Sequence, residues 1–149
     1  DEYAVDTSSK THWGKILRML AELSKAGFEL AFAALLHEIT PIATVAENAD
    51  DPRTRAERNA HTVWGICRRL KLSNEQTDRI CWLVKHRNHL LDAPRLPLHE
   101  LKRLLAESHA HELIALNRAE AVADGIELAA VEYCENYLRE TPADDLNPP

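Results

Sequence analysis

A chain of 149 residues fits one domain with a single sizeable core, and its four glycines, few aromatics and abundant alanine and leucine favour helices over a sheet. A net charge of −6, taken whole, argues against a nucleic-acid binder. No apolar run reaches the roughly 18 residues of a membrane span, and no signal-peptide pattern opens the chain, so no membrane partner is expected.

In chain order, Trp13, Ile16, Leu17, Leu20 and Leu23 recur at helical spacing and predict an amphipathic helix over about 9–25. The stretch "FELAFAALLHEITP" predicts a second helix over 28–38, apolar nearly all round and therefore central, stopped by Pro41. Residues 40–57, "TPIATVAENADDPRTRAE", show no period and are expected to be a long loop, of the kind that serves as a lid or binding element. Val63, Trp64, Cys67 and Leu70 mark a third helix over about 58–71. Ser73 with Gln76 is a capping-box pattern opening a fourth over 74–90, with Ile80, Leu83 and Val84 inward. Pro94 and Pro97 bracket a connection to a fifth helix at 98–107, followed by a sixth at 110–123 and a seventh at 126–139. The expectation is an all-α bundle of about seven helices over 1–140 with a disordered tail at 141–149. The chain also starts without methionine, as a piece of a longer protein would.

Cys67, Cys81 and Cys134 lie far apart without a CxxC pair and read as reduced, buried thiols of a cytoplasmic protein rather than a disulfide frame or zinc ribbon. Trp13, Trp64 and Trp82 are expected to fill core, with RNA stacking the alternative. No GxSxG nucleophile elbow and no Gly-rich phosphate loop occurs.

Charge is not evenly spread. Residues 53–103 carry 12 basic and 5 acidic side chains, while both flanking segments are acidic. Such a block is either a solvated face or a phosphate-facing surface. Its cations include Arg53, Arg55 and Arg58 beside the long loop, Arg68, Arg69 and Lys71 at the end of the third helix, and Lys85 and Arg87 late in the fourth. Antiparallel packing of those two helices would place the Arg68 group at one pole and the Lys85 and Arg87 group at the other.

Eight histidines is a high count for a helical domain of this size. His12, His37 with Glu38, His61 and His86 fall near helix ends that would meet if the first four helices are neighbours. Imidazole nitrogens and carboxylates gathered in a bundle are what a divalent transition metal requires.

The segments "AALLHEI", "NAHTVWGICRRLKLSNEQTDRICWLVKHRNHL" and "LKRLLAESHAHELIALNRAEAVADG" resemble the HD-type domain of bacterial tRNA nucleotidyltransferases and poly(A) polymerases. The resemblance covers most of residues 11–125 and is most specific between His61 and His89. It implies a helical region that follows a separate nucleotidyltransferase head, absent from this chain, and that supports nucleotide addition at an RNA 3′ end, with the tRNA 3′ end as partner; a purely architectural reading instead makes the bundle a scaffold or a homodimer surface. The resemblance also implies a divalent metal (Mg, Mn, Ni or Zn) on His12, His37 and Glu38, with a last carboxylate at Glu120 or Asp124. His61 and His86 match extra ligands of two-metal members of the wider superfamily. If the basic block faces phosphate, the contacts would come from Arg55, Arg58, Arg68, Arg69, Lys85 and Arg87.

Three departures bear on chemistry. The His-Asp doublet of the family is His37-Glu38, the glycine and lysine that follow it are replaced by Thr40 and Pro41, and the aspartate after "NRA" is Glu120. A glutamate sets its oxygens roughly an ångström further out, whereas metal ligands tolerate about 0.2 Å. Loss of the lysine removes a partner for substrate phosphate. The expectation is a degenerate site with no catalytic residue assigned, and the alternative is a metal-dependent phosphohydrolase acting on nucleotides or cyclic phosphodiesters.

Overall fold

The computed structural model describes residues 12–38, 52–87, 89–90 and 93–146, and every regular element among them is helical. In chain order they are α1 (His12–Glu22), α2 (Phe28–Leu36), α3 (Pro52–Arg69), α4 (Asn74–His86), a 3-10 turn (Ala93–Arg95), α5 (Leu98–Leu105), α6 (Ala110–Asp124), α7 (Ala129–Glu140) and α8 (Ala143–Leu146). The all-α expectation is met.

Helix α6 is the hub of the bundle, touching α1, α2, α4, α5 and α7, while α3 packs chiefly on α4. Small residues explain how α6 can meet so many neighbours. Ala110, Ala119, Ala121 and Ala123 are buried along it beside Leu113, Ile114 and Leu116, so facing helices approach closely. Helix α2 uses the same device with Ala33 and Ala34 between Leu30 and Leu36. Helix α4 buries Thr77, Ile80, Leu83 and Val84, which fall on one face at spacings of three and four. Truncating a fully enclosed side chain such as Leu83 to alanine would cost about 2–5 kcal/mol.

The capping box read from the sequence opens α4: the Gln76 amide donates to Ser73 Oγ at 3.1 Å, and the Ser73 amide donates to Gln76 Oε1 at 3.1 Å. The turn before it closes α3 by a Schellman arrangement, with the Leu72 amide on the Cys67 carbonyl and the Lys71 amide on that of Arg68, both at 3.1 Å. This geometry needs one left-handed residue. Gly125 fills that role after α6 at φ 68°, but after α3 it is Lys71 at φ 58°. A β-carbon makes that conformation unfavourable by about 1 kcal/mol, so Lys71 is held there against its own preference.

Several expectations are corrected. Residues 52–57, expected in the loop, begin α3: Pro52 occupies its first turn, where a fixed φ suits the helix and the missing N–H leaves nothing unpaired. The rest of the predicted loop, including Thr40, Pro41 and residues up to 51, lies outside the described residues, as do residues 9–11 and the last three of the predicted tail. Within that tail, Ala143–Leu146 forms the single turn α8, which packs on α5. Trp13 and Trp64 do not fill core; they are 44% and 50% exposed, and only Trp82 packs against the buried cluster. Leu70, at the end of α3, is exposed as well. The three cysteines are free, Cys67 and Cys134 are buried, and burial pushes the Cys81 and Cys134 thiols up to about 11.

Candidate functional site

Helix α2 ends with His37 as its C-cap, and that ring is wholly buried. Its Nδ1 lies 2.6 Å from the Ala34 carbonyl, an acceptor only, so Nδ1 carries the proton and Nε2 keeps a lone pair. The His37 carbonyl accepts from Asn59 Nδ2 at 3.2 Å, a buried side chain of α3 that pins the end of α2 in place. Burial depresses the His37 pKa below its ordinary value and outweighs the nearby Glu120 carboxylate. The ring is therefore neutral near pH 7.

Beyond Nε2 lie Glu38 from the end of α2 and Glu120 from α6. One ligand atom each from His37, Glu38 and Glu120 lies within 4.8 Å of the others, a cluster with the donor chemistry of a metal site. His37 Nε2 is buried without a hydrogen-bond partner, and its Nδ1–H bond to a backbone carbonyl is the outer contact that orients metal-binding imidazoles. Both features suit a metal.

Arg87 does not. Placed just past α4, it is 4% exposed, and its guanidinium spans the two carboxylates. Nη1 donates to Glu120 Oε1 and Oε2 at 2.8 and 2.9 Å, and Nη2 donates to Glu38 Oε1 at 2.8 Å. Lys15 of α1 completes the arrangement, with Nζ 3.0 Å from Asp124 and 3.4 Å from Glu120. Burial works against the Glu38 carboxylate, but Arg87 and Lys15 overcome it and hold its pKa below the usual range. Burial likewise works against the Lys15 ammonium, which Glu120 and Asp124 overcome, raising its pKa. Three carboxylates thus face two fixed cations. Both Glu120 oxygens and one Glu38 oxygen are taken by Arg87, so a divalent ion drawing on all three residues would have to compete with the guanidinium for Glu120; the donors fit a metal but the filled geometry does not.

The other expected site residues distribute as follows. His12, exposed on α1, has Nδ1 3.9 Å from Glu38 Oε2 and its ring 6.3 Å from that of His37, so it borders the cluster. His61 is exposed and lies nearly parallel to Trp64, 6.4 Å away and at 10°. His86 engages His89 through Nδ1 atoms 2.9 Å apart and lies under Trp82, and together with Glu57, Lys85 and His89 it lines a cleft of about 250 Å³. Burial first, then His89 and Lys85, pushes the His86 pKa down to about 4. Of the six expected metal ligands, the structure brings three together, sets His12 at their edge, and gives His61 and His86 other contacts.

Among the expected phosphate ligands, Arg68, Arg69 and Lys85 are exposed and Arg55 and Arg58 half-buried. Arg87 is the correction: it faces the interior, because it continues the Ile80, Leu83, Val84 face of α4 by one turn. Its spacing of three from Val84 and four from Leu83 marks that inward face in the sequence, whereas its charge alone argues for the surface. Lys15 and Asn59, which the sequence did not single out, carried no comparable signal.

No family model matches this chain, and neither do any of the curated proteins or solved structures. Among the described residues no helix is long and apolar enough to cross a membrane.

Proposed function

We propose that this chain is an HD-like helical module of the tRNA nucleotidyltransferase and poly(A) polymerase type, which holds RNA for nucleotide addition at its 3′ end by a separate catalytic head and has no hydrolytic chemistry of its own. The observation that carries this reading is Arg87 bridging Glu38 and Glu120 from a buried position. Metal-assisted hydrolysis needs an open coordination position and a metal-bound water to attack phosphorus. A guanidinium supplies fixed positive charge to the same carboxylates but binds no water as a nucleophile, so it keeps the fold of such a site while removing its reaction. The RNA part rests on the sequence resemblance and on the basic block at residues 53–103.

The test is binding of tRNA by the 149-residue chain across a salt series, beside hydrolysis assays on cyclic phosphodiesters and nucleoside monophosphates with manganese, nickel or cobalt added. The expected result is salt-dependent RNA binding without turnover. Absence of RNA binding would overturn the proposal.

A second reading, a metal-dependent phosphohydrolase, is favoured by the partnerless Nε2 of His37 inside the three-ligand cluster. Turnover that disappears in His37→Ala would establish it in place of the first.

A further inference from the structure

We infer that the C-terminal half of α3 is a stacking platform for the bases of single-stranded RNA, formed by His61, Trp64 and Arg68, with Arg69 and Lys71 taking the phosphates. This rests on the reading of the chain as an RNA-holding module and names the surface that would do the holding.

Residues 61, 64 and 68 recur at spacings of three and four, so the three side chains form one stripe along the helix. All three are exposed, with half of the Trp64 surface open to solvent. The His61 and Trp64 rings lie within 10° of parallel, and the Arg68 guanidinium sits 5.9 Å from the Trp64 ring centroid. Three planar π groups thus follow one another on a single face. Bases splayed from a single strand stack on such groups whatever their identity, whereas in a duplex the base faces are already covered by one another.

Charge selects the same occupant. Residues 58–74 contain no aspartate or glutamate, yet Arg68, Arg69 and Lys71 end the helix within four positions. Arg68 donates to the neutral Asn74 side chain at 2.8 Å, and among the described residues no carboxylate pairs with Arg68, Arg69 or Lys71. The contrast with Arg87 and Lys15, each held between carboxylates, is direct. Lys71 adds a further sign. Glycine would relieve its left-handed backbone, and instead the position carries a cation next to two others. Strain kept at one residue points to a use for its side chain.

Fluorescence anisotropy of labelled 12-nucleotide single-stranded RNA against the 149-residue chain tests this, with an RNA hairpin duplex and unlabelled tRNA as competitors. Trp64→Ala is expected to weaken the single strand about tenfold or more with little change in salt slope. Trp64→Phe, which keeps a ring, is expected to recover most of the affinity. Arg69→Ala is expected to flatten the slope of log affinity against log salt by about 0.7, one phosphate contact on a single strand. RNA binding that ignores Trp64→Ala would overturn the platform and leave the RNA-holding reading standing. Oligonucleotide binding that needs Trp64 but is not displaced by tRNA would keep the platform and overturn the tRNA reading. No binding of any RNA would overturn both.

Discussion

Arg68, in the last turn of α3, and Arg87, the C-cap of α4, close two consecutive helices that pack on each other, yet they meet opposite fates. Arg87 is enclosed, and its guanidinium hydrogen-bonds Glu38 and Glu120. Arg68 lies in solvent over a tryptophan and bonds a neutral asparagine. A buried guanidinium is tolerated only where carboxylates meet its fork, since an unpaired charge would bear the full desolvation penalty. An exposed one is under no such constraint and remains open to an outside anion. The two regions separate a basic segment into cations paired inside the fold and cations left in solvent.

The largest expected effect is at the enclosed pole. Arg87→Met would leave Glu38 and Glu120 facing one another without their shared cation, and should lower stability by about 3 kcal/mol in urea unfolding. Arg87→Lys should recover only part, because a single ammonium nitrogen cannot reproduce the planar fork whose two nitrogens reach Glu120 and Glu38 separately. With the guanidinium gone, the three ligand atoms around His37 are freed, so added nickel or manganese should raise the melting temperature of Arg87→Met and not that of the parent. A parent protein stabilised as strongly by either ion would mean that Arg87 does not hold the site.

Acidification should reach the enclosed groups next. His86 is held near 4 against 6.5, and His37 is lowered too, so between pH 6.5 and 4 the unfolded chain takes up protons that the folded chain refuses. Stability therefore falls as pH drops through that window. The depressed Glu38 carboxylate adds to the loss at still lower pH, while the raised Lys15 keeps its contribution until pH climbs past about 10.5. Urea midpoints at pH 7, 5.5 and 4.5 should decline in order, and His86→Gln should flatten the decline. A flat profile in the parent would contradict the burial of His37 and the partial burial of His86.

At the exposed pole the sign reverses. Lys71→Gly should raise stability by about 1 kcal/mol, since glycine enters the left-handed region without strain. The same change should weaken single-stranded RNA binding. Loss of stability in Lys71→Gly would show that the lysine side chain supports the fold.

The smallest effect belongs to a pair that looks similar on paper. Arg118 Nε and Nη2 donate to Glu135 at 2.8 and 2.7 Å, a forked bridge between α6 and α7, but both side chains are 37% exposed. Arg118→Ala should cost about 0.5 kcal/mol, measurable as a small shift in urea midpoint, because solvent already screens the pair. A loss matching that of Arg87→Met would remove burial as the distinction between them.

Periodicity alone determined the helical class and the inward face of α4, because apolar residues at spacings of three and four can be enclosed together only on a helix. The Ser73 and Gln76 capping box was equally legible, being a local hydrogen-bond pattern that needs no distant partner. Local rules failed where two local readings competed. Pro52 after two aspartates reads as a turn but serves as the first residue of α3, and Lys71 occupies a backbone conformation that favours glycine. His37 and Glu38 were singled out by their chemistry, and Glu120 entered as one of two carboxylates that the family resemblance implied, yet what fills the cluster was not anticipated. Arg87 from α4 and Lys15 from α1 reach Glu38, Glu120 and Asp124 only because α1, α2, α4 and α6 converge, and no one-dimensional pattern encodes that convergence. Exposure of Trp64 was decided in the same way. Its spacing allows it to face α4, but Val63 and Cys67 take that side, and the ring is left outside with His61 and Arg68.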